Sequence, residues 1–288
     1  MTASADPRPL ELGIFARVFP VQPAVSLAAT VHDLGFSCVQ LNLVALGLPS
    51  IPTPDQLAAL DLEEIARDFH AADVSVWGLS ATYNMAHPDP ATRARMTDDA
   101  VALIRRAPET GAQAVSLCSG SRDPDNQWRA HPDNSTPQAW IDMMESFYPL
   151  LDAADDAGVQ LAVEPEPANI VRGTDEAVRL LDELDTRAER IGFILDPANL
   201  VAGREPAHRS EVLRDAFDRL GARTICLHAK DVVTWTERLA GAPGLDFEEI
   251  FAMHQQLPTN VPVIIQDTRS NEAAAARELL LSAASKHQ

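Results

Sequence analysis

The sequence predicts an α/β fold, a (β/α)8 barrel that forms a single domain over residues 10–288. Short apolar runs alternate with longer segments of helical period along the chain, and eight such runs occur. The length of 288 residues suits one such barrel, because α/β barrels commonly exceed ~200 residues as a single domain. A doubly wound open sheet is the alternative, but no GxGxxG motif follows the first run.

Eight candidate strands and the helices between them can be read in order. The strands are LELGIF near residue 10, CVQLNL near 38, VSVWGL near 74, AVSLCS near 114, VQLAVE near 159, IGFILD near 191, TICLHA near 224 and VPVIIQ near 261. The segments TPDQLAALDLEEIARDF and TPQAWIDMMESFYPLLDAADDAG open on Thr-Pro, and the second ends at a glycine, as helices often do. The long polar connection from Ser119 to Pro137 is predicted to be a mobile lid.

Composition narrows the classes of function. Hydrophobic residues make up 46% of the chain, enough for a large core. No apolar stretch reaches the ~18 residues that a membrane span requires. Lys and Arg total 23 against 42 Asp and Glu, a net charge of −19. Such a charge repels phosphate backbones, so nucleic acid is not an expected partner.

The N-terminus and the cysteines indicate the compartment. Residues 1–9 lack the basic and apolar regions of a secretory signal. They are predicted to be a flexible lead-in. Cys38, Cys118 and Cys226 are odd in number, far apart in sequence, and each lies in an apolar run. They predict buried free thiols in a reducing cytoplasm, with neither disulfides nor a metal cluster.

Polar side chains end four successive runs in the second half of the chain. Glu164 closes the fifth run, and 32 residues separate it from Asp196, which closes the sixth. A further 32 residues lead to His228, and 38 more lead to Gln266. Each interval is about one strand–helix unit, so the four side chains should lie at similar height at the C-terminal ends of adjacent strands, where barrels of this kind carry their chemistry.

Alternation along the strands supports the same arrangement. Alternate residues of a barrel strand point inward. Counting back from the four polar residues places these side chains on the interior face: Ala162, Ile194, Cys226 and Ile264. Their neighbours should face the helices: Val163, Leu195, Leu227 and Ile265. By the same count Asp267 points outward, which favours Gln266 as the site residue.

A divalent cation explains why such groups would converge. Two carboxylates, an imidazole and an amide oxygen are costly to bury unpaired. Taken singly, Asp196 could be a turn former before Pro197, His228 a core histidine, and Gln266 a hydrogen-bonding residue at a strand end. Taken together, they predict one Mn²⁺ or Mg²⁺ ion, with Co²⁺ or Zn²⁺ less favoured, since no thiolate is present.

Several motifs carry a resemblance to a known family. EPEPANIV, ILDPANLV, LHAKDVV and the glycine-containing AGAPGLDF resemble the sugar phosphate isomerase/epimerase superfamily, the xylose isomerase-like barrels. YNMAHPDP, GSRDPDNQW and HPDN are similar to a sugar isomerase subgroup of that superfamily. The resemblance covers nearly the whole chain.

The resemblance implies a mononuclear metal site with one ligand on each of strands five to eight. The usual family set is Glu, Asp, His and Glu, which Glu164, Asp196 and His228 match in order. Gln266 departs from the set. In epimerases of the family the first and last glutamates also move protons on opposite faces of one carbon, a task that an amide cannot perform.

The chemistry of such a site can be stated from its residues. A bound cation polarises a substrate carbonyl and stabilises the enediolate that forms when a proton leaves the adjacent carbon. Glu164 is the predicted base, and Glu166 is the alternative base or a group that orients a ligand. Lys230 shares the strand parity of His228 and is predicted to hold a substrate oxygen or phosphate, although it could equally be an extended lysine at a strand end.

Further residues are assigned around this centre. A solvated turn is the favoured interpretation of Asp231, and a role in orienting His228 is the alternative. Asn199 could contact a sugar hydroxyl or cap a helix. Three residues of the long loops could line the sugar pocket: Trp128, His131 and His87.

Three classes of function follow. The favoured one is a divalent-metal-dependent sugar isomerase or epimerase that acts through an enediolate on a ketose or keto-sugar. The second is a lyase or dehydratase on a keto-sugar, which Gln266 favours because elimination needs only one proton-abstracting group. The third is a barrel that binds a sugar or metal without turnover. The expected partner is a small-molecule sugar, and a homo-oligomer would be ordinary for such a barrel.

Overall fold

The computed structural model describes residues 10–287, so the predicted lead-in over residues 1–9 lies outside the described residues. Eight parallel strands close into a barrel in sequence order, and the first strand pairs with the last. The strands are β1 (Leu12–Phe15), β2 (Cys38–Leu41), β3 (Ser75–Ser80), β4 (Ala114–Leu117), β5 (Gln160–Val163), β6 (Ile191–Leu195), β7 (Thr224–Ala229) and β8 (Val263–Ile265). The predicted (β/α)8 barrel is therefore confirmed. Each strand lies within its predicted run except β3, which extends one residue beyond its run to Ser80.

Helices surround the barrel. They are α1 (Ala24–Asp33), α2 (Pro54–Ala58), α3 (Leu62–Ala71), α4 (Pro90–Arg106), α5 (Pro137–Ala157), α6 (Thr174–Leu184), α7 (Pro197–Leu200), α8 (Pro206–Leu220), α9 (Trp235–Leu239), α10 (Phe247–His254) and α11 (Ala273–Ala284). Short 3₁₀ turns connect several of them. No helix among the described residues has the length and apolar character needed to cross a membrane.

The ends of α5 agree with the sequence signals. The Thr136 side chain accepts a hydrogen bond from the Ala139 backbone N–H at 3.2 Å, and Pro137 takes the first helical position. Gly158 ends the helix with a left-handed φ of 71°, which glycine adopts without steric cost. The predicted start and stop of this helix are both confirmed.

The predicted helix over TPDQLAALDLEEIARDF forms two helices, α2 and α3. The Asp61 side chain accepts a hydrogen bond from the Glu64 backbone N–H at 2.8 Å and begins α3. Thr53 caps α2 through a reciprocal bonding pattern with Gln56. The apolar periodicity continues across the break, so the capping aspartate is the signal that separates the two helices.

The core has two layers, as the alternation along the strands predicted. A small cluster fills the barrel interior: Cys38, Ala114, Ala162, Ile194, Cys226 and Ile264. A larger layer lies between the strands and the helices and includes Val163, Leu195, Leu227 and Ile265. Close packing inside requires Gly13, because a Cβ there would lie 2.5 Å from Cys38 Sγ. The three cysteines are buried and unpaired.

Candidate metal centre

Three of the predicted ligands meet at the C-terminal ends of β5, β6 and β7. Glu164 follows β5, Asp196 follows β6, and His228 lies near the end of β7. One ligand atom from each residue lies within 4.8 Å of the other two. Nδ1 of His228 is 3.2 Å from Oε1 of Glu164. His228 and Asp196 are fully buried, whereas 12% of the Glu164 side chain is exposed.

Asp196 divides its two oxygens between a helix start and the site. Oδ1 accepts hydrogen bonds from the backbone N–H groups of Ala198 at 2.9 Å and Asn199 at 3.1 Å, which caps α7. Pro197 follows directly and suits the first helical position. Oδ2 is left to face Glu164 and His228. The turn-forming and ligand interpretations of Asp196 therefore apply to different oxygens of one carboxylate.

The atoms that face one another fit a divalent cation. Oδ2 of Asp196 and Nδ1 of His228 are buried and make no hydrogen bond. Lys230 Nζ pairs with Oδ2 at 3.2 Å, whereas the buried Nδ1 keeps an unused ring position that a cation would satisfy. Two carboxylate oxygens and one imidazole nitrogen suit a cation such as Mn²⁺ or Mg²⁺. This buried Glu/Asp/His triad could hold a metal ion.

Burial raises the pKa values of the two carboxylates and lowers that of the imidazole. The pKa of Asp196 rises to about 6 and that of Glu164 to about 7, chiefly because burial disfavours the charged forms, with Lys230 opposing the shift. Burial lowers the pKa of His228 to about 4, so its ring is neutral near pH 7. A neutral imidazole keeps one lone pair available for a cation.

The other ring nitrogen of His228 has two amide neighbours. Nε2 lies 2.7 Å from Oε1 of Gln40 on β2 and 3.2 Å from Nε2 of Gln266, which follows β8. The Gln266 amide nitrogen thus approaches Nε2 rather than Nδ1, and its role as fourth ligand stays a prediction. Gln40 was not identified from the sequence. Its interior position at the end of an apolar run was the available signal.

Lys230 and Asn199 form a polar bridge beside the triad. Lys230 Nζ donates to Asn199 Oδ1 at 2.7 Å and lies 3.2 Å from Asp196 Oδ2. The Asn199 amide nitrogen donates to Glu164 Oε1 at 2.9 Å. Burial alone would lower the pKa of Lys230, but Asp196 and Glu164 raise it above its usual value. Lys230 is therefore charged, and the structure brings it into the predicted site.

Glu166 lies near Glu164 but on the adjoining loop. Burial, followed by the nearby Glu164 carboxylate, raises the pKa of Glu166 to about 9. A carboxyl group with that pKa is protonated at pH 7 and can donate a hydrogen bond, which makes it a poor base. The role of Glu166 as the alternative base stays a prediction that this environment disfavours.

Asp231 is 7% exposed, so the predicted solvated turn is wrong, and its carboxylate binds groups other than His228. Oδ1 of Asp231 accepts hydrogen bonds from the Val232 backbone N–H at 2.7 Å and the Leu245 backbone N–H at 2.8 Å. Oδ2 lies 3.4 Å from Arg238 Nε. The carboxylate therefore fixes the loop between β7 and α10. Gly244 packs directly on it, since a Cβ there would lie 2.3 Å from Asp231 Oδ1.

Asp267 does not follow the strand alternation that was predicted to turn it toward the helices. It lies beyond the end of β8 and has a left-handed φ of 54°, and alternation holds only for extended backbone. Its Oδ2 is 3.9 Å from Lys230 Nζ, and 71% of its side chain is exposed. The carboxylate therefore lies at the solvent side of Lys230.

The long loop after β4 is tied to its neighbours by buried amides. Asn84 accepts from the Ser121 backbone N–H at 2.9 Å and donates to the Asp123 carbonyl at 3.0 Å. Asn169 accepts from the Gly120 backbone N–H and donates to the Gln127 carbonyl, both at 2.9 Å. These bonds fix the first part of the predicted lid, so any movement should be confined to its tip.

Three loop residues were predicted to line the sugar pocket. Trp128 lies at the tip of the loop and is 45% exposed. The His131 ring accepts from the Asp133 backbone N–H at 3.2 Å, and the His87 ring lies 3.2 Å from the Pro124 carbonyl oxygen. Both imidazoles thus stabilise the loops, and sugar contact by any of the three residues stays a prediction.

The fold and the site together define a class. They describe a closed (β/α)8 barrel with two carboxylates and an imidazole converging at the C-terminal ends of its strands, where a cation could assist reactions of a small molecule. The chain belongs to the xylose isomerase-like TIM barrel family, which matches residues 28–283. This confirms the resemblance seen in the sequence motifs.

Solved structures of sugar epimerases share the fold. The 3-keto-D-glucoside 4-epimerase of E. coli is 14% identical with a TM-score of 0.72, and the match covers 95% of this chain and 100% of that one. D-Psicose 3-epimerase of Clostridium cellulolyticum H10, solved with D-tagatose, is 16% identical with a TM-score of 0.70, covering 96% and 99%. No curated protein sequence matches the chain.

Proposed function

We propose that the protein is a divalent-metal-dependent sugar isomerase or epimerase that acts on a ketose or keto-sugar. The observation that carries the proposal is the convergence of Glu164, Asp196 and His228, whose ligand atoms lie within 4.8 Å of one another. Sugar epimerases with the same fold support the class of reaction. Mn²⁺ or Mg²⁺ is the proposed metal, since oxygen donors predominate.

Glu164 is the proposed base. Its carboxylate lies at the C-terminal end of β5 within the triad, and the Asn199 amide nitrogen donates to its Oε1 at 2.9 Å. When bound, the cation would polarise the substrate carbonyl and lower the energy of the adjacent carbanion. Glu164 would take the proton from the carbon beside that carbonyl and leave an enediolate. Return of the proton to the former carbonyl carbon, with transfer of the hydroxyl proton to the former carbonyl oxygen, gives isomerisation. Return of a proton to the original carbon from the opposite face gives epimerisation.

Lys230 and Asn199 are proposed to hold substrate oxygens. The Lys230 ammonium group is 19% exposed and lies between the buried Asp196 and the exposed Asp267. It could donate to a substrate oxygen on the solvent side while it neutralises the carboxylates. The donor would then stabilise negative charge as it develops on the substrate.

The charges around the triad support an uncharged sugar over a phosphorylated one. Within residues 10–287, Lys230 is the basic side chain that contacts the triad, and two carboxylates already surround it. Two arginines of the neighbouring loop are paired as well: Arg122 with Asp142 and Arg129 with Asp123. A phosphate would therefore find no unpaired cation among these three side chains.

A keto-glycoside is a candidate substrate as well as a free ketose. The support is that a 3-keto-D-glucoside 4-epimerase and a D-psicose 3-epimerase share the fold of this chain. A groove of about 680 Å³ between α6 and α8 includes Asn199 in its lining but none of the triad residues, so it does not distinguish the two substrates.

A keto-sugar lyase is the second candidate, and Gln266 is the residue that favours it. An amide at the end of β8 cannot act as the second proton-transfer group that epimerisation on two faces of one carbon requires. Elimination needs one base and a leaving group on the next carbon. A barrel that binds sugar without turnover is the third candidate.

Deuterium exchange distinguishes the three candidates. The metal-loaded protein is incubated in deuterated water with a panel of ketoses and keto-glycosides, and C–H exchange and products are followed by NMR. Exchange with a rearranged sugar supports an isomerase or epimerase. Exchange with loss of a substituent supports a lyase. If no compound of the panel shows C–H exchange or product while the protein holds its metal, the enzymatic proposal is overturned and a binding barrel is favoured.

The cellular setting stays a prediction. The three buried, unpaired cysteines are consistent with a reducing cytoplasm, and a homodimer or tetramer is expected by analogy with barrels of this size. Size-exclusion chromatography with light scattering tests the oligomeric state.

A further inference from the structure

We propose that Gln40 is a positioning residue that fixes which nitrogen of His228 binds the cation. Gln40 holds the proton on Nε2, and the lone pair of Nδ1 then faces Glu164 and Asp196. The inference rests on the proposed metal site. Its central measurement uses the metal-free protein, so it can fail independently of the proposed activity.

A chain of three buried polar side chains crosses the barrel interior. Gln40 on β2 places Oε1 2.7 Å from Nε2 of His228 on β7. Its amide nitrogen donates to Oγ of Ser116 on β4 at 3.0 Å. Gln40 and Ser116 are each 2% exposed, and His228 is fully buried. Water therefore has little access to these groups.

The direction of the bonds selects the imidazole tautomer. Ser116 accepts from the amide nitrogen of Gln40, which leaves the amide oxygen directed at His228. An amide oxygen can only accept, so Nε2 must carry the hydrogen. A neutral imidazole protonated at Nε2 has its lone pair on Nδ1, the nitrogen that faces the two carboxylates.

The reversed arrangement leaves a donor without a partner. If both Gln40 and Gln266 donated to Nε2, the hydrogen of His228 would lie on Nδ1. Although Glu164 Oε1 is 3.2 Å from Nδ1, no hydrogen bond forms there, and Nδ1 is buried. A buried N–H without a partner is costly, whereas a lone pair at that position is ready for a cation. The Gln266 amide nitrogen lies 3.2 Å from Nε2, and in this tautomer a half-turn of the amide would place its oxygen there instead.

Nitrogen NMR tests the tautomer directly. Long-range ¹H–¹⁵N spectra of the metal-free protein distinguish protonated from unprotonated ring nitrogens, and the signals of His228 are assigned by comparison with His228→Gln. We expect Nε2 to be protonated in the wild type, with Nδ1 appearing protonated in part in Gln40→Met. Protonation of Nδ1 in the wild type would overturn the proposal, whatever the variants do.

Metal titration tests the consequence. Gln40→Met keeps the size of the side chain but removes the acceptor, and we expect Mn²⁺ affinity to fall roughly 10- to 100-fold. Gln40→Glu restores an acceptor for both Nε2–H and the Ser116 hydroxyl, so it should bind Mn²⁺ at least as tightly as the wild type. Unchanged affinity in a folded Gln40→Met variant contradicts the proposal.

Two further variants separate positioning from general stability. Thr97→Val removes a buried hydrogen bond with the Tyr83 hydroxyl, 2.8 Å long and formed by residues outside the triad, and should leave both Mn²⁺ affinity and the tautomer unchanged. Ser116→Ala frees the Gln40 amide to rotate and should weaken Mn²⁺ binding with smaller disturbance than Gln40→Met. If Thr97→Val loses as much Mn²⁺ affinity as Gln40→Met, the loss in both variants would come from lower protein stability and not from the position of His228.

Discussion

Lys230 Nζ lies 3.2 Å from Asp196 Oδ2, the carboxylate oxygen that faces the candidate metal centre. If the proposed cation binds the triad, it would compete with Lys230 for this oxygen. We expect Lys230→Met to bind Mn²⁺ about tenfold more tightly, ~1.4 kcal/mol, because a competing charge is removed. Turnover should fall, since the proposed donor to the substrate is lost.

Lys286→Met is the matched control for this variant. Lys286 pairs with Glu248 at the surface and contacts none of the triad. Isothermal titration of both variants with Mn²⁺ checks the prediction. Weaker binding in Lys230→Met would mean that Lys230 supports the cation and does not compete with it.

Asp196→Asn separates the capping oxygen from the ligand oxygen. The amide oxygen of Asn can still accept from the Ala198 and Asn199 backbone N–H groups, so α7 should remain. The charge that faces His228 is lost, and we expect metal content to fall from about one ion per chain to below a tenth of that. Elemental analysis measures the metal content per chain. Glu164→Ala should lose metal to a similar extent.

Asp246→Asn provides a control with the same capping geometry. Oδ1 of Asp246 accepts from the Glu248 backbone N–H at 3.0 Å and the Glu249 backbone N–H at 3.1 Å, away from the triad. Metal content should be unchanged in this variant. Full occupancy in both Asp196→Asn and Glu164→Ala would refute the site.

Gln266→Glu adds a negative charge beside His228. A carboxylate there could ligate the cation or accept from Nε2, and we expect Mn²⁺ affinity to rise about tenfold. If the wild type works with one base, a trace of epimerisation at the exchanging carbon should appear, because a proton can now reach the opposite face. Chiral product analysis and metal titration measure both effects. Unchanged affinity would exclude Gln266 as a ligand.

The loop after β4 should exchange its amide hydrogens unevenly. The amides of Gly120 and Ser121, which donate to the buried side chains of Asn169 and Asn84, should be protected. The amides of Trp128 and Arg129 donate to Asn126 at the exposed tip, so they should exchange faster and slow down when a substrate analogue binds. Asn169→Ala should abolish the protection of Gly120. Hydrogen-exchange mass spectrometry reads each segment. Equal protection of the tip with and without ligand contradicts a closing movement.

Gly244→Ala should destabilise the protein by ~1–3 kcal/mol, because the new methyl group would overlap the buried Asp231 carboxylate. Gly173→Ala is the matched control, since the nearest atom to a Cβ there is Glu176 Oε2 at 3.9 Å. Urea unfolding compares the two variants. A smaller loss in Gly244→Ala than in Gly173→Ala would mean that the Asp231 loop shifts freely.

The sequence supports the barrel and the triad because both depend on regular spacing. Strand periodicity predicts the eight strands, and two equal intervals predict that Glu164, Asp196 and His228 meet. The direction of the Asp267 side chain was not predicted, because its left-handed backbone ends the alternation of β8. The contacts of Asp231 were not predicted either, because its main partner is a backbone N–H 14 residues later in the chain. Such contacts depend on loop conformation, which spacing does not encode.

Gln40 shows a second limit. The polar residues that suggested the site occur once per strand–helix unit in the second half of the chain. Gln40 lies outside that series, and its contact with His228 depends on closure of the barrel, which separates β2 from β7 by only β1 and β8. The spacing of residues along the chain predicts contacts between the ends of adjacent strands. It does not predict contacts between non-adjacent strands through the barrel interior.

The contact between Gln40 and His228 joins residues that are 188 positions apart, which ties cation capture to the last stage of folding. Long-range contacts form late, because the entropy of closing the intervening chain must first be overcome. A half-barrel from β5 to β8 could gather the three ligands but would leave the imidazole free to rotate. During refolding, tight Mn²⁺ uptake should therefore follow the joining of β8 to β1, so that the ion serves as a kinetic marker of ring closure.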